Sequence, residues 1–260
     1  MHSATTPRDS YDRVAHLYDV DMARNMAFDD VALYLDQSMR GGGAVLELGC
    51  GNGRILLALV ERGIDAVGVD CSPKMLAELG RKARERGLRP RTCLMDARQL
   101  AFANSFATVL CPYSLITYMS AAGDRERMLA ETFAVLAPGG NAIVDAFVPR
   151  ATAMHQDFAL DYRRSIGKAS LRRSKRVMSI APGVHRIERR YELTAGDGTV
   201  VERIDTIEEI RPLAPEDLVR ELRVCGFEIE REWWDYGARP DRAGAQFYTV
   251  SARRPAASTR

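Results

Sequence analysis

The sequence predicts an α/β fold in which a mostly parallel sheet is covered by helices on both faces. Short apolar runs at 44–48 and 66–70 are followed by segments with helical periodicity at 55–60 and 73–87, and this alternation is typical of a parallel sheet. Glycines or polar residues bound each run, as expected where strands and helices end in turns. A chain of 260 residues with 46% hydrophobic and 28% charged side chains can bury a sizeable core. We therefore expect residues 1–260 to form a single domain.

The first part of the chain is predicted to be helical. Apolar side chains such as Val14, Leu17 and Met22 recur near the helical period within residues 1–40. Three glycines at 41–43 then end the helical pattern. The core predicted after them, residues 41–150, adds strands at 91–95, 107–111 and 141–145 and a helix at 125–136 to the elements named above.

The pattern changes after the fifth predicted strand. Two β-rich stretches, 185–194 and 199–210, are joined by the sequence GDG at 196–198, which predicts an antiparallel hairpin. We assign residues 151–213 to an inserted cap built on this hairpin. Residues 214–260, with a helix at 215–225 and strands at 228–234 and 246–253, are expected to return to the main sheet.

Composition argues against several classes of partner. The 37 basic and 35 acidic side chains give a net charge of +2, which predicts neither nucleic-acid nor membrane binding. The sequence shows neither an apolar stretch long enough to cross a bilayer nor an apolar signal core at its amino terminus, so we expect a cytoplasmic protein. The five cysteines are widely spaced, which predicts neither a disulfide framework nor a metal site.

The first strand-to-helix turn, ELGCGNG at 47–53, carries the clearest chemical signal. Gly49, Gly51 and Gly53 can adopt positive φ and allow a ligand to approach the main chain closely, as in a nucleotide cradle. A dinucleotide site is the main alternative, but it would require glycine where Arg54 stands. Glu47 also argues against a diphosphate, because a carboxylate beside the cradle would repel it.

Two further carboxylates end the next predicted strands. Asp70 ends the second strand and can accept both hydroxyls of a ribose. Asp96 ends the third strand, where it could accept the exocyclic amine of adenine. Each acid alone could instead cap a helix or lie in solvent. Because Glu47 ends the first strand, the three acids together favour one shared site.

These motifs resemble a known family. The sequences VLELGCGNG at 45–53, GVDCSPKML at 68–76, MDA at 95–97 and LAPGG at 136–140 resemble the class I, seven-stranded S-adenosylmethionine-dependent methyltransferases. The resemblance covers residues 10–150 and implies a Rossmann-like, mostly parallel sheet of seven strands with S-adenosylmethionine as cofactor. It implies that LAPGG is a structural turn into the fifth strand. The cofactor contacts that it implies are Tyr11, Tyr18, Glu47, Gly49, Gly51, Gly53, Asp70, Cys71, Met75, Asp96, Ala97 and Cys111.

Two segments narrow the resemblance to enzymes that methylate small metabolites. YDRVAHLYD at 11–19 and PYSLITYM at 112–119 are similar to parts of amino-sugar and glycine N-methyltransferases. The first belongs to a helical lid in such enzymes, and the second lies beside the reacting methyl. The resemblance therefore implies catalytic roles for Tyr18 and Tyr118 and acceptor contacts for Tyr113 and Tyr118, although these rings could instead be packing residues.

Two other candidates come from the residues themselves. His155 follows the fifth strand and is the best-placed histidine for a general base or acceptor contact, the alternative being an exposed surface histidine. Trp234, in the sequence WWDY at 233–236, could form a wall against a flat acceptor or could pack in the core.

The basic run RRSKR at 172–176 is interpreted as a solvated face or as an attraction for an acidic substrate.

The sequence thus predicts an enzyme that transfers a methyl group to nitrogen on a small molecule by in-line displacement. A neutral nitrogen has an available lone pair, and the sequence offers few bases. O-methylation is the first alternative, and a non-catalytic S-adenosylmethionine-binding protein is the second. We expect a monomer or a homodimer.

Overall fold

The chain folds around a seven-stranded, mostly parallel sheet within the residues that the computed structural model describes, which are 7–22, 28–103, 106–149 and 155–256. The side chains of Pro7, His155 and Gln156 are outside that description. The helices are α1 (Pro7–Val14), α2 (Tyr18–Met22), α3 (Asp30–Gly41), α4 (Leu56–Glu61), α5 (Pro73–Glu85), α6 (Asp124–Val135) and α7 (Pro215–Val224). The strands are β1 (Val45–Leu48), β2 (Ala66–Asp70), β3 (Arg91–Leu94), β4 (Phe106–Cys111), β5 (Leu136–Phe147), β6 (His155–Ile166), β7 (Ala169–Ala181), β8 (Val184–Thr194), β9 (Val200–Ile210), β10 (Glu228–Trp234) and β11 (Phe247–Arg253).

The main sheet has the order β10-β11-β5-β4-β1-β2-β3 in the described residues, and β11 runs antiparallel to both of its neighbours. Strands β1 to β3 extend to one side and β4 and β5 to the other, so the order reverses between β1 and β4. Ligands of open α/β sheets bind at the carboxyl ends of the strands beside such a reversal. The fold class that the sequence predicts is confirmed, and the topology indicates where a site should lie.

Both faces of the central strands are buried. Leu46 and Val109 pack into an apolar cluster on one face, whereas Val45, Leu110 and Ile143 pack into a second cluster on the other. Neighbouring residues of β1 and β4 therefore point into different layers, as expected for parallel strands covered on both sides. Burial on both faces fixes the strand ends and hence the positions of the loops that follow them.

Local signals set the bounds of the helix after β2. Ser72 is the N-cap of α5, its hydroxyl accepts a hydrogen bond from the Met75 amide at 3.1 Å, and Pro73 opens the helix. The predicted start of this helix is confirmed. By contrast, residues 136–140, predicted to be a turn, lie within β5, where the pairing with β4 shifts between Phe106 and Thr108. An irregularity in the strand accommodates the two glycines there.

The predicted hairpin forms β8 and β9, but it is half of a four-stranded antiparallel sheet with the order β6-β7-β8-β9 in the described residues. The basic run at 172–176 lies in β7. Arg173 is 8% exposed and pairs with Asp161 and Asp21, and Arg176 pairs with Glu188. The run is therefore solvated only in part: Arg173 is a buried ion-pair residue, whereas the side chains of Arg172 and Lys175 are 44% and 43% exposed.

Residues 7–22, here called the lid segment, connect the two sheets. The Ser10 hydroxyl donates to the Ile207 carbonyl of β9 at 2.8 Å. Asp12 accepts from the Ser72 hydroxyl at the start of α5 at 2.6 Å. The lid segment therefore spans from the four-stranded sheet to the main sheet. In the part of the chain that is described, each helix is too short or too polar to cross a membrane.

Candidate active site

A cavity of about 730 Å³ lies at the carboxyl ends of the parallel strands. The carboxyl ends of β1 to β4, with the loops that follow them, contribute to its wall through Gly49, Asp70, Asp96 and Tyr113 respectively. Tyr11 of the lid segment also lines it. The cavity thus occupies the place that the reversal of strand order indicates.

Most of the predicted site residues meet in this cavity. Those that line it are Tyr11, Tyr18, Gly49, Gly51, Asp70, Cys71, Met75, Asp96, Ala97, Tyr113 and Tyr118. The lining also contains residues that the sequence reasoning missed. They are Arg8, Asp9, Leu94, Met95, Arg98, Pro112, Leu115, Met119, Ser120, Asp124 and Glu209. Four of these, Met95, Pro112, Leu115 and Met119, lie within the motifs quoted at 95–97 and 112–119 but were not singled out there, whereas Asp124 and Glu209 carry no local signal.

The glycine turn, residues 49–53, presents bare main chain to the cavity. Gly49 and Gly51 have φ of +64° and +53°, which favour glycine. A Cβ atom at Gly49 would lie 3.1 Å from the Leu115 side chain, and one at Gly51 would lie 3.1 Å from Met75 Cε. Side chains here would fill the space, so the turn fits a ligand that lies against the main chain, as the methionyl part of S-adenosylmethionine would.

Asp70 is tied to the glycine turn. Its Oδ2 accepts a hydrogen bond from the Gly51 amide and its Oδ1 one from the Ser72 amide, both at 2.8 Å. Burial raises the pKa of Asp70, and the two amides oppose that rise. A carboxylate has about four lone-pair directions, so the fixed Asp70 keeps acceptor capacity for the hydroxyls of a ribose.

Asp96 is held by a neighbouring arginine. The Arg98 guanidinium donates to both carboxylate oxygens of Asp96, and its Nη1 reaches Asp124 Oδ2 at 2.7 Å. Hydrogen bonding from Arg98 holds the pKa of Asp96 below its usual range, although partial burial opposes this effect. Asp96 therefore stays an acceptor, which suits the exocyclic amine predicted for it, and the buried Ala97 lies beside it in the cavity wall.

Three tyrosines form the lid side of the cavity. The Tyr11 hydroxyl donates to the Tyr118 hydroxyl at 3.0 Å, which donates to Glu208 Oε2 at 3.4 Å. The ring of Tyr11 makes edge contacts with those of Tyr18 and Tyr118 at centroid distances of 6.0 and 6.2 Å. Burial raises the pKa of all three phenols. At neutral pH they are hydrogen-bonding groups that keep their protons, not ready bases.

Glu208 was missed by the sequence reasoning. It lies in β9 with an exposed fraction of 3%, and the Arg189 guanidinium of β8 donates to it. Charged residues in a predicted hairpin are usually assigned to its solvent face, so their types gave no reason to place them near the tyrosines. The packing of the four-stranded sheet against the lid segment brings this pair to Tyr118.

Glu47 and Gly53 lie behind the cavity wall in the described structure. Glu47 is 2% exposed, and burial raises its pKa to about 8. Its Oε2 has no hydrogen-bond partner in the described residues. A Cβ at Gly53 would lie 2.8 Å from the Leu79 side chain, so this glycine is required for core packing. Neither residue is among those that line the cavity, and their contacts with the cofactor stay predictions.

Cys111 and Trp234 are also not among the residues that line the described cavity. Cys111 is buried in the apolar core. Trp234 packs on the ring of Tyr248 in the neighbouring strand, with a centroid distance of 4.7 Å, so its contacts are those of a packing residue. His155 opens β6 opposite Val177 and not a loop, and its side chain lies outside the described residues. Clusters of three or more potential metal ligands are absent from the described residues.

Comparison with known proteins agrees with this geometry. Residues 45–140 match the family model described as a methyltransferase domain. A demethylmenaquinone methyltransferase from Thermus thermophilus is 39% identical over 108 residues, which are 40% of this chain and 47% of that protein. A glycine/sarcosine N-methyltransferase from Parasynechococcus marenigrum is 37% identical over 107 residues, which are 40% of this chain and 38% of that protein. The chain thus aligns with less than half the length of either relative.

The likeness in fold extends over nearly the whole chain. The crystal structure of an S-adenosylmethionine-dependent methyltransferase from Clostridium acetobutylicum superposes with a TM-score of 0.76 at 18% identity, covering 94% of this chain and 99% of that one. The resemblance read from the glycine turn and the strand-end acids is confirmed. Residues 45–140 thus resemble a methyltransferase domain, and the chain has the seven-stranded fold seen in the solved S-adenosylmethionine-dependent methyltransferase.

Proposed function

We propose that this chain transfers a methyl group from S-adenosylmethionine to a nitrogen atom of a small-molecule acceptor. One observation carries the proposal: a single cavity of about 730 Å³ joins the glycine turn, Asp70, Asp96 and the tyrosines of the lid side. This volume is within the usual range of roughly 300 to 1,000 Å³ for small-molecule sites. When bound, S-adenosylmethionine supplies a methyl group activated on a sulfonium sulfur.

The residues of the core would hold the cofactor along the strand ends. The bare main chain of the glycine turn would lie against its methionyl part. Asp70 would accept the ribose hydroxyls, with Cys71 and Met75 packed beside them. Asp96 and Ala97 would bind the adenine. Each of these residues lines the cavity, and the order of the strands places their loops in sequence along it.

The tyrosines would position the acceptor and exclude water. Because Tyr11, Tyr18 and Tyr118 keep their protons at neutral pH, they would orient a nucleophile and not deprotonate it. The Tyr118 oxygen can accept a hydrogen bond from an acceptor N–H while its own proton points to Glu208. Positioning of this kind can supply about 7 to 11 kcal/mol of a barrier. A neutral amine brings its own lone pair, so this arrangement suits nitrogen.

A hydroxyl acceptor is the second candidate. A hydroxyl needs a base within hydrogen-bond reach, and the carboxylates of Asp9 and Glu209 line the cavity. The names of the related proteins leave the acceptor atom open: one is a glycine/sarcosine N-methyltransferase, and the other is a demethylmenaquinone methyltransferase, whose name points to a quinone and not to a hydroxyl acceptor. The nitrogen proposal therefore depends on the neutral tyrosines.

Matched acceptors test the proposal. The chain is incubated with methyl-labelled S-adenosylmethionine and pairs of small molecules that differ only in carrying an amine or a hydroxyl at one carbon, amino sugars and amino acids included. We expect label in the amines alone. Transfer confined to the hydroxyl partners would replace the proposal with O-methylation. Tight binding of the cofactor without transfer to any acceptor or to a metabolite extract would favour a binding protein.

We also propose that the described residues work as one unit on a small molecule. The cavity wall combines α1, the loops of the main sheet and Glu209 of β9, so neither sheet forms the site without the other. A monomer or a homodimer fits this proposal, and size-exclusion chromatography with light scattering distinguishes the two.

A further inference from the structure

We propose that Arg98 is a positioning residue, which fixes the carboxylate of Asp96 so that the site selects an adenine, with its exocyclic amine, over a base that carries an oxygen there. The inference rests on the proposed function, because it concerns how the adenosyl part of S-adenosylmethionine is recognised. It assigns a role to a residue that lies outside the motifs discussed above.

Three groups of Arg98 donate hydrogen bonds to the Asp96 carboxylate: the main-chain amide, Nε and Nη2. The Arg98 amide donates to Asp96 Oδ1 at 2.8 Å, Nε lies 3.0 Å from Oδ1 and 3.2 Å from Oδ2, and Nη2 lies 2.6 Å from Oδ2. A planar guanidinium that pairs with both oxygens of a carboxylate fixes its orientation as well as its charge. Asp96 therefore has one defined direction in the cavity wall.

A second carboxylate holds the arginine in turn. Arg98 Nη1 donates to Asp124 Oδ2 at 2.7 Å. Asp124 is the first residue of α6 and is 5% exposed. Arg98 therefore joins the loop after β3 to the start of α6, and all three charged side chains line the cavity. The guanidinium cannot rotate away from Asp96 without losing Asp124 as well.

The pairing of Arg98 with Asp96 and Asp124, here called the clamp, affects which base Asp96 can bind. Three donors of Arg98 occupy most of the roughly four lone-pair directions of Asp96, so little acceptor capacity is left for a ligand in the cavity. A fixed carboxylate accepts a hydrogen bond from an amine but repels a carbonyl oxygen in the same place. A freely rotating carboxylate can turn away from that oxygen and would discriminate less.

Arg127 offers a matched control. It also pairs with Asp124, but its side chain is 63% exposed and it lies outside the described cavity lining. Arg127→Ala removes one ion pair from the same carboxylate without touching Asp96. Arg98→Lys keeps the positive charge but loses the two-pronged pairing.

Calorimetry with two ligands tests the proposal. The ligands are S-adenosylhomocysteine and S-inosylhomocysteine, in which an oxygen replaces the exocyclic amine. We expect the unchanged chain to prefer the adenosyl compound. We expect Arg98→Ala to reduce the ratio of the two affinities about tenfold and Arg98→Lys at least threefold, whereas Arg127→Ala leaves the ratio unchanged.

The outcomes separate this inference from the proposed function. If the unchanged chain binds neither compound, the proposed function fails and the inference fails with it. If the chain binds both equally, or if Arg98→Ala and Arg98→Lys keep the original ratio, the inference alone is overturned. If the Arg98 variants have a lower melting temperature but the original ratio of the two affinities, Arg98 contributes to stability and not to base selection. Should Arg98→Ala not fold, the ratio for Arg98→Lys decides.

Discussion

Tyr236 donates its hydroxyl to the buried carboxylate of Asp145 at 2.7 Å. The Tyr34 hydroxyl and the Ser114 amide also donate to this carboxylate, and the Tyr113 amide does so at 2.9 Å. Tyr113 and Ser114 have φ of 54° and 57°, a left-handed conformation that side chains other than glycine adopt at a cost. Asp145 therefore holds the loop after β4 in the shape that brings Tyr113 to the cavity.

The first prediction concerns this hydrogen bond. Tyr236→Phe should lower the free energy of unfolding by about 1.5 to 3 kcal/mol, because a charged, buried acceptor loses one of its donors. Urea unfolding measures the change. Tyr248→Phe is the matched control, since that hydroxyl pairs with the exposed Glu232 and its loss should cost less. An equal decrease in the free energy of unfolding in the two variants would contradict the prediction, because the hydrogen bond to Asp145 would then contribute no more than the one to Glu232.

The second prediction concerns the ribose position. Asp70→Ala should weaken the binding of S-adenosylhomocysteine by about 1 to 3 kcal/mol through lost hydrogen bonds to a charged acceptor, and it should also loosen the glycine turn through the Gly51 amide. Calorimetry measures the affinity. Asp65→Ala removes a 63% exposed side chain from the turn before β2 and should leave the affinity unchanged. An undiminished affinity in Asp70→Ala would contradict the assignment.

The third prediction is a pH dependence at Glu47. Burial raises the pKa of Glu47 from 4.5 to about 8, so between these values the folded chain keeps a proton that the unfolded chain releases. The contribution of Glu47 to the free energy of unfolding is therefore fully present below pH 4.5. It decreases as the pH rises from 4.5 and is lost once the pH has passed 8. Glu47→Gln cannot ionise, so its stability relative to the unchanged chain should rise across this window by a few kcal/mol.

Urea unfolding of both proteins at pH 5, 6.5 and 8 checks the Glu47 prediction. The quantity of interest is the difference in unfolding free energy between the two proteins at each pH, because other titrating groups are common to both. A difference that stays constant from pH 5 to pH 8 would mean that the carboxylate ionises freely in the folded chain.

The sequence predicts the cofactor half of the site better than the contacts that hold the surrounding loops, because the former depend on local patterns and the latter on residues far apart in the chain. Gly51 and Asp70 lie in one strand-helix-strand unit, where turn chemistry and strand ends are readable locally. The hydrogen bond between Tyr236 and Asp145 joins residues 91 positions apart, and only the pairing of strands brings them together. Trp234 illustrates the same limit, because its sequence allows either a wall against a flat acceptor or core packing, and only the pairing of strands shows that its ring packs on Tyr248.

The last prediction concerns the attachment of the lid segment. Asp21 of α2, with its side chain 8% exposed, accepts hydrogen bonds from the Tyr162 hydroxyl, the Arg173 guanidinium and the Tyr191 hydroxyl, the last at 3.1 Å. Removing one partner of a buried ion pair commonly costs about 3 to 5 kcal/mol. Asp21→Asn should therefore speed amide hydrogen exchange in residues 15–22 at least tenfold, and Tyr18 would lose its fixed place at the cavity.

Hydrogen exchange followed by mass spectrometry, in the presence and absence of S-adenosylhomocysteine, measures this effect. Asp36→Asn is the control, because that carboxylate is 44% exposed on α3 and pairs with Arg40. It should leave exchange in residues 15–22 unchanged. If Asp21→Asn also leaves that exchange unchanged, the contacts that this variant retains are sufficient to hold the segment. These include the apolar contacts of Val14 and Leu17 with the four-stranded sheet and the hydrogen bonds from Arg164 to the carbonyls of Val20 and Asp21.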